Sequence, residues 1–153
     1  MMSLMIEEVV PSAAPLVLLL LADPSEEKVR AYLPTSRCFV VFNDGAVAGV
    51  CVVQQKDAGV HELMNIAVAP EQQKRGVGTR LLQWVIERYR AAGAKTLEVG
   101  TGSFGYQLTF YQRHGFRVAA IDRDFFVTHY DEPIIEAGIR LRDMLRLRIE
   151  YEY

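Results

Sequence analysis

The stretch Glu62-Leu63-Met64-Asn65-Ile66-Ala67-Val68-Ala69-Pro70-Glu71-Gln72-Gln73-Lys74-Arg75-Gly76-Val77-Gly78-Thr79 decides the fold. Residues 62–69 read as a strand, 70–73 as a polar connection, and Lys74 to Thr79 as a turn that opens a long amphipathic helix. Gly76 and Gly78 carry no Cβ, so the backbone there can approach a ligand closely. The first amides of a helix have no partner within it, and they sit at the positive end of its dipole. Lys74 and Arg75 add full charges beside them. A pyrophosphate is the ligand chemistry that this combination suits.

Elimination narrows the choice of pyrophosphate. A P-loop carries its Lys-Ser/Thr pair after the last glycine, whereas Lys74 precedes both glycines here. A dinucleotide fingerprint beginning at Gly76 needs a third glycine where Leu81 stands. The spacing that does match is Gln73-x-x-Gly76-x-Gly78, directly after a strand ending in Val68-Ala69-Pro70. In that context the sequence resembles the GNAT superfamily of acetyl-CoA-dependent N-acetyltransferases, whose coenzyme motif has this form. The resemblance implies that Gln73, Lys74, Arg75, Gly76, Val77, Gly78 and Thr79 hold the pyrophosphate of acetyl-CoA. It also implies that Ile66, Ala67 and Val68 hold the pantetheine arm through strand-like hydrogen bonds. An ordinary strand-to-helix turn with solvated basic residues is the competing reading.

The chain has 153 residues in all, half of them hydrophobic and 24% charged, which suits one domain; the resemblance implies that this is a single N-acetyltransferase domain over residues 1–153. A formal net charge of −2 leaves no electrostatic footprint for nucleic acid. Leu16 to Leu21 is apolar, but Glu7 and Glu8 precede it and it is too short to span a bilayer. It reads as a buried helix, and no membrane partner is expected. Two cysteines without a secretory signal point to a reducing compartment and hence to the cytoplasm.

Residues 3–10 read as a first strand, Pro11-Ser12 as the start of a helix through about Leu21, and Ser25 to Leu33 as a second helix with Pro24 at its first position. Arg37 to Phe42 and Ala46 to Gln54 are β-prone runs separated by Asn43-Asp44-Gly45, a hairpin signal. A turn centred on Asp44-Gly45 sets Asn43 opposite Ala46 and, in a regular ladder, Cys38 opposite Cys51. Both cysteines read as small buried hydrophobes rather than as a redox pair. Along residues 60–69, strict alternation sends His61, Leu63, Asn65 and Ala67 to one face and Glu62, Met64, Ile66 and Val68 to the other. Val77 to Ala92 forms an amphipathic helix that stops at Gly93.

Downstream, Lys95 to Val99 reads as a short strand, Gly100 to Gly105 as a loop, Tyr106 to His114 as a helix, and Phe116 to Ile121 as a strand. Residues 122–143 read as a short helix and an irregular connection with turns at Pro133 and Gly138, and Met144 to Tyr151 as a last strand with one wet face. Hairpins first and strand–helix alternation later imply an α/β domain with a mixed, largely antiparallel sheet. The resemblance makes this a GNAT-like sheet of six to seven strands flanked by helices, with the cofactor in a cleft between the fourth and fifth strands.

Gly100-Thr101-Gly102-Ser103-Phe104-Gly105 also matches G-x-G-x-x-G, with Asp122 about twenty residues on. It competes as a dinucleotide site. Against it, only one strand remains after Asp122, and the helix is short for a crossover.

Phe110-Tyr111-Gln112-Arg113-His114-Gly115-Phe116 resembles the GNAT pattern Tyr-x-x-x-Gly-Phe, which implies that Tyr111 faces the departing thiolate of the coenzyme. An amine with a pKa near 10.4 must lose a proton before it attacks a thioester, and a carboxylate in a cleft takes that proton directly or through water. Glu98 and Glu62 are the two candidates, with Glu98 preferred by resemblance to some peptide-N-terminal acetyltransferases of the family. Many members carry an asparagine after the fifth strand; this chain has Thr101 to Phe104 there, so that contact does not carry over. Phe125, Phe126, His129 and Tyr130 at helical spacing read as core before substrate box. His61 and His114 have no ligand-spaced neighbours, so no metal is expected. Direct transfer of acetyl from acetyl-CoA to a small-molecule or peptide amine is the leading reading, with a homodimer implied by resemblance alone. A non-catalytic acyl-CoA sensor is the alternative.

Overall fold

Hydrophobic periodicity and turn chemistry set the elements of a computed structural model that describes residues 2–153. One unit ends at Ala94. It contains β1 (Leu4–Val9), α1 (Leu16–Ala22), α2 (Glu26–Tyr32), β2 (Arg37–Asn43), β3 (Ala46–Asp57), β4 (Val60–Val68) and α3 (Val77–Ala91), with 3-10 turns at Pro11–Ala13, Leu33–Thr35 and Pro70–Gln72. The second unit, Lys95–Tyr153, contains β5 (Thr96–Gly102), α4 (Tyr106–Arg113), β6 (Arg117–Asp122), α5 (Phe125–His129), β7 (Ile135–Glu136), β8 (Ile139–Arg140) and β9 (Met144–Glu150). β1 to β4 lie side by side in chain order, each antiparallel to the next. In the second unit β9 runs between β5 and β6, antiparallel to both, and β7–β8 is a separate hairpin. The seven strands of the two ladders are largely antiparallel, as the sequence implied.

Each face of the first ladder buries its own helices. Leu18, Leu19 and Val29 of α1 and α2 pack with Cys38, Val40, Val50, Val52 and Ala67. On the other face Phe39 meets Trp84 and Tyr89 of α3, with ring centroids 5.3 and 6.3 Å apart, and Leu81 and Leu82 are fully buried. Leu16–Ala22 is only half submerged: Val17 and Leu21, four residues apart, are exposed while Leu18 and Leu19 are not. The expected helix from Pro11 is broken in two, because a 3-10 turn occupies Pro11–Ala13 and Pro15 is the residue before α1. Pro24 lies outside α2. Ser25 caps that helix instead, its hydroxyl accepting from the Lys28 amide at 3.3 Å.

Two β-bulges overturn two expectations. Asp44 and Gly45 both have positive φ, the signature of a two-residue primed turn, and Asn43 does pair with Ala46. Beyond that, Val47 opposes Phe42 and Gly49 opposes Val41, so Ala48 is the extra residue. The slip sets Cys38 opposite Val52 and Cys51 opposite Phe39, which puts the cysteines on opposite faces. Both are free and buried, and burial raises each thiol pKa, that of Cys38 to about 11. In β4, Asn65 opposes Val52 and Leu63 opposes Val53, leaving Met64 as the extra residue. His61 and Leu63 therefore join the α3 face, where the His61 ring lies 4.7 Å from Tyr89, while Asn65 and Ala67 join the α1–α2 face.

Gly49 is required beside the first of these bulges. A Cβ there would lie 3.0 Å from the Ala67 carbonyl oxygen and 3.1 Å from Val41 Cγ1. We expect Gly49→Ala to cost about 1–3 kcal/mol through overpacking. Thermal unfolding checks it, at about 2–4 °C of Tm per kcal/mol in a chain of this size.

Candidate active site

The exit from β4 is pinned from three directions. The Ala69 amide donates to the carbonyl of the bulged Ala48 at 2.8 Å, Asn43 Nδ2 donates to Gln72 Oε1 at 2.9 Å, and Gln73 Nε2 donates back to the Val68 carbonyl at 3.2 Å. With Ala69 bonded to Ala48, antiparallel alternation turns the backbone of Ala67 toward β3. The N–H and C=O groups of Ile66 and Val68 then point to the side away from β3, where the Val68 carbonyl already accepts from Gln73 Nε2. Of the residues expected to hold an extended arm, Ile66 and Val68 thus present backbone groups there, while Ala67 is a core contact at 7% exposure.

From Gln73 the chain passes through Lys74 and Gly76, both with left-handed φ (64° and 80°), into α3. Gly76 is the residue before the helix and supplies no side-chain cap, and a Cβ on it would meet nothing within 4 Å. Arg80 N–H reaches the Gly76 carbonyl at 3.0 Å, which leaves the amides of Val77, Gly78 and Thr79 as the uncapped first turn. Lys74, Arg75 and Arg80 are exposed, and none of them enters an ion pair among the described residues. Bare amides, a positive helix end and unpaired cations form a donor set that fits a diphosphate. Gln73, Lys74, Arg75, Gly76, Val77, Gly78 and Thr79 all belong to this one turn.

Sequence reasoning missed the support behind it. Asn65, 4% exposed, donates through Nδ2 to the Leu19 carbonyl at 2.9 Å and to Tyr32 Oη at 3.0 Å, tying α1 and α2 to β4 beside the Met64 bulge. Burial pushes the Tyr32 hydroxyl up to about 12, so it stays protonated. No local sequence signal marks this pair, because the bulge that turns Asn65 inward depends on the partner strand.

In the second unit, α4 carries Tyr111 at 4% exposure, with its ring between Phe110 (5.5 Å) and Phe116 (5.6 Å). Glu98 stands on β5, four residues before the end of the strand rather than at it, because β5 runs on to Gly102. Its cross-strand neighbour is Arg148, whose Nη2 lies 3.7 Å from Glu98 Oε1, and the Glu98 side chain keeps 28% exposure. Glu62 is the third residue of β4. Phe125, Phe126 and His129 of α5 and Tyr130 just after it form a run of ring contacts of 4.6–5.9 Å, none of them buried as core, and the Arg146 guanidinium lies 5.5 Å from the Phe125 ring. Among the described residues no group of three His, Cys, Asp or Glu side chains is placed to hold a metal, and no helix is long and apolar enough to cross a membrane.

The glycines of the second motif have another use. Gly100 and Gly102 are strand residues paired with Arg146 and Met144, not parts of a loop. A Cβ at Gly100 would run into the Met144 sulfur, one at Gly102 would lie 2.9 Å from Leu141 Cδ2, and one at Gly105 would strike the Glu136 carboxylate. Side chains of the chain's own C-terminal segment cover the backbone that a dinucleotide would need to approach.

Fold and helix start together place the chain among α/β transferases. More narrowly, the chain belongs to the GNAT family of acetyltransferases and is an enzyme of that family: the Acetyltransferase (GNAT) domain matches residues 34–118. It is 46% identical over 134 residues to the uncharacterised N-acetyltransferase YvbK of Bacillus subtilis, covering 87% of this chain and 86% of that protein. An IAA acetyltransferase from Bacillus cereus superposes with a TM-score of 0.92 at 44% identity over 97% of this chain and the whole of that one. A GNAT acetyltransferase from Elizabethkingia anophelis with acetyl-CoA bound gives 0.91 at 37% identity, covering 97% and 98%.

Proposed function

We propose that the enzyme moves the acetyl group of acetyl-CoA to a primary amine by direct attack in a ternary complex. The observation that carries this reading is the uncapped, glycine-started first turn of α3 with unpaired Lys74 and Arg75 beside it. Gln73 to Thr79 hold the diphosphate, and the outward backbone groups of Ile66 and Val68 bond the pantetheine arm. Bound acetyl-CoA supplies an activated acetyl thioester. Glu98 takes the proton that the amine loses as its nitrogen bonds to the acetyl carbon. A backbone N–H of the Ile66–Val68 stretch donates to the oxygen on which charge develops. As the carbon–sulfur bond breaks, the Tyr111 hydroxyl donates its proton to the departing sulfur.

An amine panel spanning polyamines, amino acids, antibiotics and peptide N-termini, followed by thiol release, tests the assignment. At least one class should turn over with intersecting initial-velocity lines; parallel lines would indicate a covalent enzyme intermediate and reject the direct route. Because a thiolate is already a competent leaving group, Tyr111→Phe should lower kcat by about tenfold, below the usual contribution of a general acid. Its affinity for acetyl-CoA should stay at the parent value. Parent-like turnover would remove Tyr111 from the reaction.

A further inference from the structure

The amino end of α4 is the least supported part of the helix that carries Tyr111. Tyr106 and Gln107 are exposed, and Tyr106 retains 73% of its surface, whereas Phe110 and Tyr111 are buried. Gly105, the residue before the helix, has φ 101° and supplies no side-chain cap. What lies over it comes from the β7–β8 hairpin. The three heavy atoms nearest to a Cβ built on Gly105 all belong to the Glu136 carboxyl group. The Glu136 backbone pairs with Ile139 across the hairpin, while its exposed side chain makes no hydrogen bond or ion pair with any described residue, so the carboxylate stands beside the positive end of α4.

The hairpin that presents Glu136 is itself held in place. Ala137 and Gly138, both with positive φ, make the primed two-residue turn, and the Leu141 amide closes the base on the Ile134 carbonyl at 2.8 Å. Leu141 then covers Gly102 and Met144 covers Gly100, which fixes the segment along β5. Phe126 N–H donates to the Arg142 carbonyl at 3.0 Å, and Arg142 Nη2 meets Asp124 Oδ1 at 3.0 Å, which fastens the far side to α5. Every glycine of the G-x-G-x-x-G run therefore receives a side chain from residues 136–144, and the last of them sets a carboxylate against the start of α4.

We propose that Glu136 is a positioning residue for acetyl transfer, holding the amino end of α4 so that Tyr111 is delivered to the departing sulfur. This rests on the reading of Tyr111 as the proton donor. Acting only through Tyr111, Glu136 contributes no more than Tyr111 does. We therefore expect Glu136→Ala to lower kcat about threefold, with KM for acetyl-CoA and Tm at parent values.

A double-mutant cycle with Tyr111→Phe tests it. In the Tyr111→Phe background Glu136→Ala should change kcat no further. A threefold loss in both backgrounds, or no loss in the parent, overturns the proposal while leaving Tyr111 in its role. Parent-like kcat for Tyr111→Phe itself removes the Tyr111 reading and this proposal with it.

Discussion

Glu98→Gln is expected to lower kcat/KM for the amine by about a hundredfold near neutral pH, the lower end of what a positioned general base contributes. The substitution keeps the size of the side chain, and the partly exposed ion pair with Arg148 at 3.7 Å that it loses is worth little, so β5 and β9 should stay paired. It removes the proton acceptor. The deficit should shrink as pH rises, because an amine with a pKa near 10.4 deprotonates unaided at about tenfold more per unit. A pH profile of both proteins therefore separates a lost base from a distorted strand, whose penalty would stay constant with pH. Parent-like kcat/KM would move the role to Glu62 or to water, and Glu62→Gln would then carry the loss.

Reversing Lys74 and Arg75 together to glutamate is expected to weaken acetyl-CoA binding by about thirtyfold or more. At close range in a water-like dielectric each unit of charge is worth about 0.5–1 kcal/mol against a phosphate, so the reversal amounts to about 2–4 kcal/mol. Both residues are exposed and outside every ion pair among the described residues, so Tm should stay within about 2 °C of the parent. Since the effect acts through solvent, it should fade at high salt. Titration calorimetry at two ionic strengths checks both points. Unchanged affinity at low salt would place the diphosphate away from this turn.

The elements of the fold were legible wherever a local rule acts alone. The apolar stripe of α3, the Asp44-Gly45 turn and the helix stop at Gly93 each follow from spacing or from φ that only small residues favour. The turn from Gln73 to Thr79 was legible for the same reason: its glycines and cations are contiguous. Register was not. The extra residues Ala48 and Met64 arise from how neighbouring strands fit together, and alternation counted along one strand has no means to register them. The G-x-G-x-x-G run misled in the opposite sense. A glycine records only that something comes close to the backbone, and here the visitor is a side chain from the segment Glu136 to Met144, not a phosphate.

Placing the two cysteines on separate sides of the first ladder has a practical result at the bench. Neither sulfur can reach the other without dismantling the strands, so air oxidation has no internal crosslink to form, and reducing agents can be left out of the buffer. With both thiols fully enclosed at 0% exposure, a colorimetric sulfhydryl reagent will count the coenzyme product and not the catalyst. Once the strands come apart, the same reagent becomes a clock for unfolding that needs no added label.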